Sequence, residues 1–252
     1  MMAIFYSPRI STDSLFICLD PGNTKSFPGS GTTYYDLTGN GIHGYLSGGV
    51  GFSSGAFTFD GIDDFVSTNN NLTSYPSVYN VYADNTTTFS VTAWYKFPVS
   101  PTQARSDAVN GGNTSYSIAG AGGGIGGAET FNIFVGGTNW GSAYLNTCWV
   151  GCRGSKTQVS PSTVNTNTWN CATVTWNGTS GSVYHNGAYR SGLNVGGAGA
   201  QGSYFTIGTI ANGSTAHHFE GSIGVVTVHA KSLTASEVLQ NYNALRGRYG
   251  LS

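Results

Sequence analysis

Two groups of residues carry side chains from which chemistry could be built. The first is the acidic cluster Asp60, Asp63 and Asp64 in F-T-F-D-G-I-D-D-F-V (57–66), with Asp36 further upstream in D-L-T-G-N. Carboxylates gathered this closely are hard oxygen ligands. Calcium takes six to eight such oxygens, and Asn40 or backbone carbonyls could add to the set. The same spacing also describes a turn, in which Asp60-Gly61-Ile62-Asp63 bonds its carboxylates to its own backbone. The turn is the simpler reading and a structural calcium ion is the alternative. The second group lies in F-V-G-G-T-N-W-G-S-A-Y-L-N-T-C-W (134–149). There Asn139, Trp140, Tyr144 and Trp149 offer aromatic faces for sugar stacking and an amide for hydrogen bonds. Aromatics at this spacing suit the core of a β-sandwich equally well, so both readings stand.

Other chemistries find no support. Retaining glycoside hydrolysis needs two carboxylates about 5 Å apart. The chain has three glutamates, Glu129, Glu220 and Glu237, and none opens an E-x-D-x-x-E strand. No G-x-S-x-G elbow occurs, and the glycine run 120–127 lacks the Lys-Ser/Thr of a phosphate loop. His217, His218 and His229 have no partner at metal-ligand spacing. Cys148 and Cys152 form C-x3-C without a completing pair, so zinc is not expected. Cys18, in L-F-I-C-L, reads as a small core residue. A disulfide among Cys148, Cys152 and Cys171 stays open.

The elements that must position these groups have a period of two. In residues 87–97, T-T-F-S-V-T-A-W-Y-K-F, one strand face holds Phe89, Val91, Ala93, Tyr95 and Phe97. In 169–176, W-N-C-A-T-V-T-W, alternation is present but does not say which face is inward. Asn186-Gly187 between two β-rich runs predicts a type I′ hairpin. Further strands are expected at 15–19, 56–60, 64–67, 114–119, 130–135, 203–208 and 223–229. The glycine-dense 119–128 reads as a loop or as closely packed strands. One segment is helical in period. In T-A-S-E-V-L-Q-N-Y-N-A-L-R-G, Thr234 and Glu237 can form a capping box, and Val238, Tyr242 and Leu245 share a stripe. Gly247 is the expected left-handed stop.

Composition sets the bounds. The 252 residues contain 10 Lys+Arg and 11 Asp+Glu, so no basic footprint for nucleic acid exists. Charged residues are only 8% while hydrophobic residues reach 39% and aromatics 13%, enough apolar material for a sizeable core. No run approaches the ~18 apolar residues of a membrane span, and membrane insertion is not expected. The start, M-M-A-I-F-Y-S-P-R-I, lacks the basic and apolar regions of a secretory signal, so the chain is expected to be made in a cytoplasm.

Four stretches carry a family resemblance. D-L-T-G-N-G-I-H-G-Y-L (36–46), F-T-F-D-G-I-D-D-F-V (57–66), W-N-C-A-T-V-T-W-N-G through V-Y-H-N-G (169–187), and G-S-I-G-V-V-T-V-H-A-K-S-L-T-A-S-E-V (221–238) occur in the order typical of laminin-G-like domains. They resemble the concanavalin A-like lectin/glucanase superfamily. The resemblance implies an all-β, jelly-roll sandwich of two antiparallel sheets with one short C-terminal helix. It also implies binding of glycans or protein partners. One departure stands out: the family's I-D-E-V is I-G-V-V here, Ile223 to Val226, without the acidic pair. A narrower likeness lies in D-P-G-N-T-K-S-F-P-G-S-G-T-T-Y-Y-D-L-T-G-N-G (20–41) and Q-N-Y-N-A-L-R-G-R-Y-G-L (240–251), which resemble virion structural proteins of tailed bacteriophages.

The resulting expectation is an N-terminal arm, 1–14, followed by one sandwich domain, 15–252. Its function is read as non-catalytic: a virion structural or adhesion protein in capsid decoration, a head fibre or a tail fibre. Partners would be other virion proteins, further copies of the chain and a host-surface glycan, with no cofactor beyond a structural calcium ion. The alternative is a free glycan-binding lectin-like module without a place in a virion. The arm carries Ile4, Phe5 and Tyr6, which suggest docking on a neighbour.

Overall fold

The computed structural model describes residues 9–68, 88–98, 115–122, 129–136, 147–152, 155–160, 164–193, 205–210 and 217–252. Two antiparallel sheets face one another. The first runs β14 (Ala188–Leu193), β13 (Gly181–His185), β12 (Asn170–Trp176), β7 (Phe89–Lys96), β16 (Glu220–His229), β5 (Ala56–Asp60), β4 (Gly51–Ser53), with β1 (Leu15–Leu19) paired to the far half of β16. The second runs β11 (Ser155–Gln158), β10 (Cys148–Cys152), β9 (Glu129–Gly136), β8 (Ser115–Gly122), β15 (Phe205–Ile207), β6 (Phe65–Thr68), β3 (Gly44–Ser47), β2 (Thr33–Tyr34). The expected two-sheet architecture is therefore present. The short strands β2, β3, β4, β10 and β11 were not among those anticipated from the sequence.

Alternation decides which side chains meet between the sheets. Phe89, Val91, Ala93, Tyr95 and Phe97 point inward to Phe131, Ile133, Val150, Phe205 and Ile207 of the second sheet. The ambiguity in β12 resolves the same way. Ala172, Val174 and Trp176 face the core, while Cys171 looks outward under the C-terminal aromatics. In β8, a Cβ on Gly120 would lie 2.8 Å from the Phe131 carbonyl, so part of the glycine run is indeed closely packed strand.

The hairpin at Asn186-Gly187 has φ of 49° and 78°, as a type I′ turn requires. Gly187 is needed twice, because a Cβ there would also come within 2.9 Å of the Tyr242 ring. Helix α1 (Ala235–Leu245) starts with the full capping box, Thr234 and Glu237 each bonding the other's backbone N–H. Its Val238 packs on Tyr184 and Leu233, and Tyr242 stacks on Trp94 at 5.6 Å. The expected stop at Gly247 is displaced. A 3-10 turn, Arg246–Tyr249, continues the helix, and the left-handed residue is Gly250. The extra turn carries Tyr249 to within 4.4 Å of both Trp94 and Trp169, a contact that a stop at Gly247 would forfeit.

The described part of the expected N-terminal arm is bonded to the domain. The Ser11 N–H donates to Asn241 Oδ1 at 2.7 Å, His229 Nε2 lies 3.0 Å from the Ser11 carbonyl, and Gln240 Nε2 donates to the Arg9 carbonyl at 2.7 Å. No described helix is long and apolar enough to cross a membrane.

Candidate functional site

The acidic residues sit in the β5–β6 turn. Gly61 has φ +78°, which lets the chain reverse between Asp60 and Asp64. Asp60 Oδ1 accepts the N–H groups of Ile62 at 2.7 Å and Asp63 at 3.4 Å, and Asp64 Oδ2 accepts the Asp60 N–H at 2.9 Å. This is the self-bonded turn anticipated from the sequence. Asp64 is buried, and burial raises its pKa, with Asp60 and Asp63 adding repulsion and the Asp60 N–H opposing it. Oxygens of the three carboxylates lie within 4.8 Å of one another. One oxygen from each would supply three ligands, well short of the six to eight of a calcium shell, and two of the carboxylates already hold backbone N–H groups.

Asp36 is not part of this cluster. Its Oδ1 accepts the N–H of Cys18 at 2.9 Å and of Thr38 at 3.2 Å. Thr38 Oγ1 and Asn40 Nδ2 both donate to the Phe16 carbonyl. The D-L-T-G-N motif is thus a clamp that holds β1 onto the sheet. A hydroxyl, an amide and a carboxylate each satisfy backbone groups on the one strand.

Beside the acidic turn the first sheet exposes a polar row. Thr58 of β5, Ser222 of β16 and Lys96 of β7 are in cross-strand register, and one step along, Asp60 faces Glu220. In register on adjacent strands, such side chains stand about 5 Å apart. Two clefts adjoin the row, sharing Thr58 and Phe59 as walls. The smaller, about 240 Å³, reaches Asp60 and Asp64. The larger, about 320 Å³, is bounded by Lys96, Asn167, Glu220 and Ser222, and the Phe97 ring beneath it is fully buried between the sheets. Glu220 Oε2 accepts from the Tyr116 hydroxyl at 2.8 Å, and the buried Tyr116 ring leans edge-on against Phe219. Lys96 Nζ lies 5.5 Å from the Trp169 ring centre, a cation–π contact. Sequence reasoning missed this cleft, because its residues are scattered over positions 58 to 222 and no local motif joins them.

Of the four aromatic and amide residues singled out for sugar binding, Asn139, Trp140 and Tyr144 lie outside the described residues. Trp149 is half-buried on the outer face of β10, since its neighbours Cys148 and Val150 face the core. Its Nε1 donates to Thr147 Oγ1 at 2.6 Å. Cys18, Cys148 and Cys171 are buried free thiols. A Cys148–Cys171 disulfide is not formed, because Cys148 points between the sheets and Cys171 points to the outer face under Tyr249. Burial pushes the Cys18 and Cys148 thiols up to about 12. The side chain of Cys152 lies outside the described set. His217, His218 and His229 are buried and separately bonded, to Ser115 Oγ, the Asp64 carbonyl and the Ser11 carbonyl.

The loss of the acidic pair in I-G-V-V has a structural counterpart. A Cβ on Gly224 would stand 2.2 Å from the Tyr249 hydroxyl, which accepts the Val225 N–H at 2.9 Å. The strand bulges between Ile223 and Val226 at this point. Where the family pattern places an aspartate, this chain seats a tyrosine from its C-terminal turn.

The chain resembles several solved structures. Sialidase from Trypanosoma rangeli in complex with sialic acid superposes with a TM-score of 0.67 at 15% identity, over 95% of this chain and 34% of that one. A botulinum neurotoxin type C structure, titled for a cell entry that depends on two ganglioside molecules, gives 0.63 at 17% identity, over 92% and 51%. The binding domain of botulinum neurotoxin serotype D/C gives 0.62 at 16%, over 92% and 52%. This chain therefore spans about a third to a half of those proteins, and at such identities the likeness is one of fold. They include an enzyme and binding domains alike. No curated protein matches the sequence. The laminin-G-like model described as concanavalin A-like lectin/glucanases superfamily matches residues 60–239, most of the chain, with two of its four motif stretches whole and part of a third, and the protein belongs to that superfamily.

Proposed function

We propose that this chain is a non-catalytic adhesion or structural component of a tailed-bacteriophage particle, which uses its lectin-like sandwich to engage a surface glycan. The observation that carries the virion reading is the corner joining its two phage-like stretches. Arg248, from the 240–251 stretch, pairs with Asp20, from the 20–41 stretch, at 2.6 Å. Gly22 also backs onto that guanidinium, with space for a Cβ only 3.2 Å from Nη1. Two separate stretches with one kind of resemblance thus form one contiguous surface. The non-catalytic reading is supported by how the carboxylates are used. Asp60 and Asp64 hold their own turn, Asp36 clamps β1, and Glu237 caps α1. Glycan engagement is supported by the neighbours, one solved with sialic acid and one titled for ganglioside dependence.

Antiserum raised against the purified domain tests the virion reading on particles viewed by electron microscopy. Regular labelling at one location on the particle is the expected result. Unlabelled particles from lysates that contain the soluble protein would leave the free glycan-binding module as the correct reading. Release of a fluorophore from aryl glycosides, abolished by Glu220→Gln, would overturn the non-catalytic part.

A further inference from the structure

We propose that residues 9–13 are an exchangeable strap by which two copies of this chain join, each laying its strap across the other's β16 and helix α1. The proposal stands apart from the glycan reading and adds an interaction surface and the partner that fits it.

Among the described residues, the bonds that hold the strap reach a distant part of the chain. The Ser11 peptide is gripped on both sides, its N–H donating to Asn241 Oδ1 at 2.7 Å and its carbonyl lying 3.0 Å from His229 Nε2. Gln240 Nε2 donates to the Arg9 carbonyl at 2.7 Å, and Lys231 Nζ pairs with Asp13 Oδ2 at 2.6 Å. These four partners lie on β16, on α1 and on the link between them, so another copy's strap can be gripped in the same way. Apolar packing adds little. A cleft of about 340 Å³ is lined by Ile10 and Thr12 of the strap and by Cys18, Val225 and Leu245 of the domain. On that flank the strap is held by directed bonds and not by close packing.

The strap joins its own domain through a strained turn. Ser14 has φ +55°, in the left-handed region that residues other than glycine rarely adopt. The Leu15 N–H closes the turn by donating to the Thr12 carbonyl at 3.2 Å. On the domain side, the Ser14 carbonyl accepts the Ala230 N–H at 2.7 Å and Leu15 pairs with His229, so β1 keeps its place when the turn opens. Opening relieves Ser14 and gives up the 3.2 Å turn bond, and reseating the strap on a second copy restores the four long-range bonds. Strained hinges invite such exchange, and the reciprocal contact closes as a two-fold dimer. In dilute solution the closed monomer wins, because a short tether holds the strap at an effective concentration on the order of 1 mM. Copies packed to a similar local concentration exchange their straps.

The ion pairs of Lys231 report where the strap lies. Carbodiimide joins Lys231 to Asp13, which travels with the strap, and to Glu237 Oε1, 2.8 Å away within the same copy, which serves as the internal control. Full-length chains with and without ¹⁵N are mixed, incubated at rising concentration, cross-linked and digested for mass spectrometry, with light scattering on the same samples. The wild type is expected to be monomeric when dilute and to form dimers towards about 1 mM, with Lys231–Asp13 peptides of mixed mass and Lys231–Glu237 peptides of single mass. Ser14→Gly relieves the left-handed turn and should lower the dimerisation constant by about fivefold or more for each hinge. Ser14→Pro, whose ring forbids φ +55°, should dimerise already in dilute solution. Lys231–Asp13 peptides of single mass in the wild type at about 1 mM would overturn the proposal, whether or not a dimer forms. So would a folded Ser14→Pro protein that stays monomeric. If Ser14→Pro does not fold, an unchanged dimerisation constant in Ser14→Gly overturns it instead.

Discussion

Replacing Gly224 tests the most specific packing relation in the molecule. An alanine Cβ at 224 would stand 2.2 Å from the Tyr249 hydroxyl oxygen, 2.7 Å from Cζ and 2.9 Å from Cε1, so the ring itself must move and not merely its hydroxyl. That ring is wedged between Trp94 and Trp169, with centroid distances of 4.4 Å to each, and it ends the turn that closes the C-terminus. Overpacking of this kind costs about 1–3 kcal/mol. Displacing the hydroxyl also leaves the buried Val225 N–H without its partner, for about 1–3 kcal/mol more. Gly224→Ala is thus expected to destabilise by about 2–6 kcal/mol and Tyr249→Phe by about 1–3 kcal/mol. The double variant loses the Val225 bond only once, so its destabilisation should fall short of the sum by about 1–3 kcal/mol. Urea unfolding followed by tryptophan fluorescence measures all three, since Trp94 and Trp169 flank the site. A Gly224→Ala protein within about 0.5 kcal/mol of wild type, or strictly additive effects, would refute the wedge and with it the account of the missing acidic pair.

Three further outcomes are expected. Burial holds His217 and His185 at pKa values of about 4, against 6.5 in an unfolded chain, so both are neutral in the fold. Stability is then complete above pH 6.5 and falls as pH drops toward 4, by about 1.4 kcal/mol per pH unit for each histidine. Urea unfolding of His217→Gln between pH 7 and 4.5 should show a slope smaller by one proton, and an unchanged slope would contradict the assignment. Asp60→Ala should lower stability by about 1–2 kcal/mol through the lost turn bonds, equally with and without a chelator. A calcium-dependent rise in melting temperature that disappears in this variant would instead establish a structural ion. Removing residues 1–8 supplies the reference for a longer truncation. Removing 1–12 strips the Ser11 partners from His229 and Asn241 and should cost about 2–4 kcal/mol by urea unfolding. Equal stability of the two truncations would show that Ser11 contributes nothing.

Much of this protein can be read from local sequence because the determinants are local. Alternation in 89–97 places Phe89 to Phe97 inward, Asn186-Gly187 specifies its own turn by backbone sterics, and Thr234 and Glu237 cap a helix within four residues. The acidic turn belongs here too, since Asp60 bonds N–H groups two and three positions away. Other features required the tertiary structure because they depend on residues far apart in the chain. Only the pairing of β12 with β7, and the helix laid over it, decides that Cys171 faces outward and Ala172 inward. Asp36 looks like an acidic ligand in sequence, yet it becomes a clamp because strand β1, eighteen residues earlier, brings it the N–H of Cys18. The helix overruns Gly247 because Trp94, Trp169 and Val225 offer Tyr249 more contact and a better hydrogen bond than a left-handed stop would give. The cleft likewise joins residues far apart in the chain. Thr58, Lys96, Asn167 and Ser222 meet only because antiparallel pairing sets strands from three parts of the chain side by side in one register.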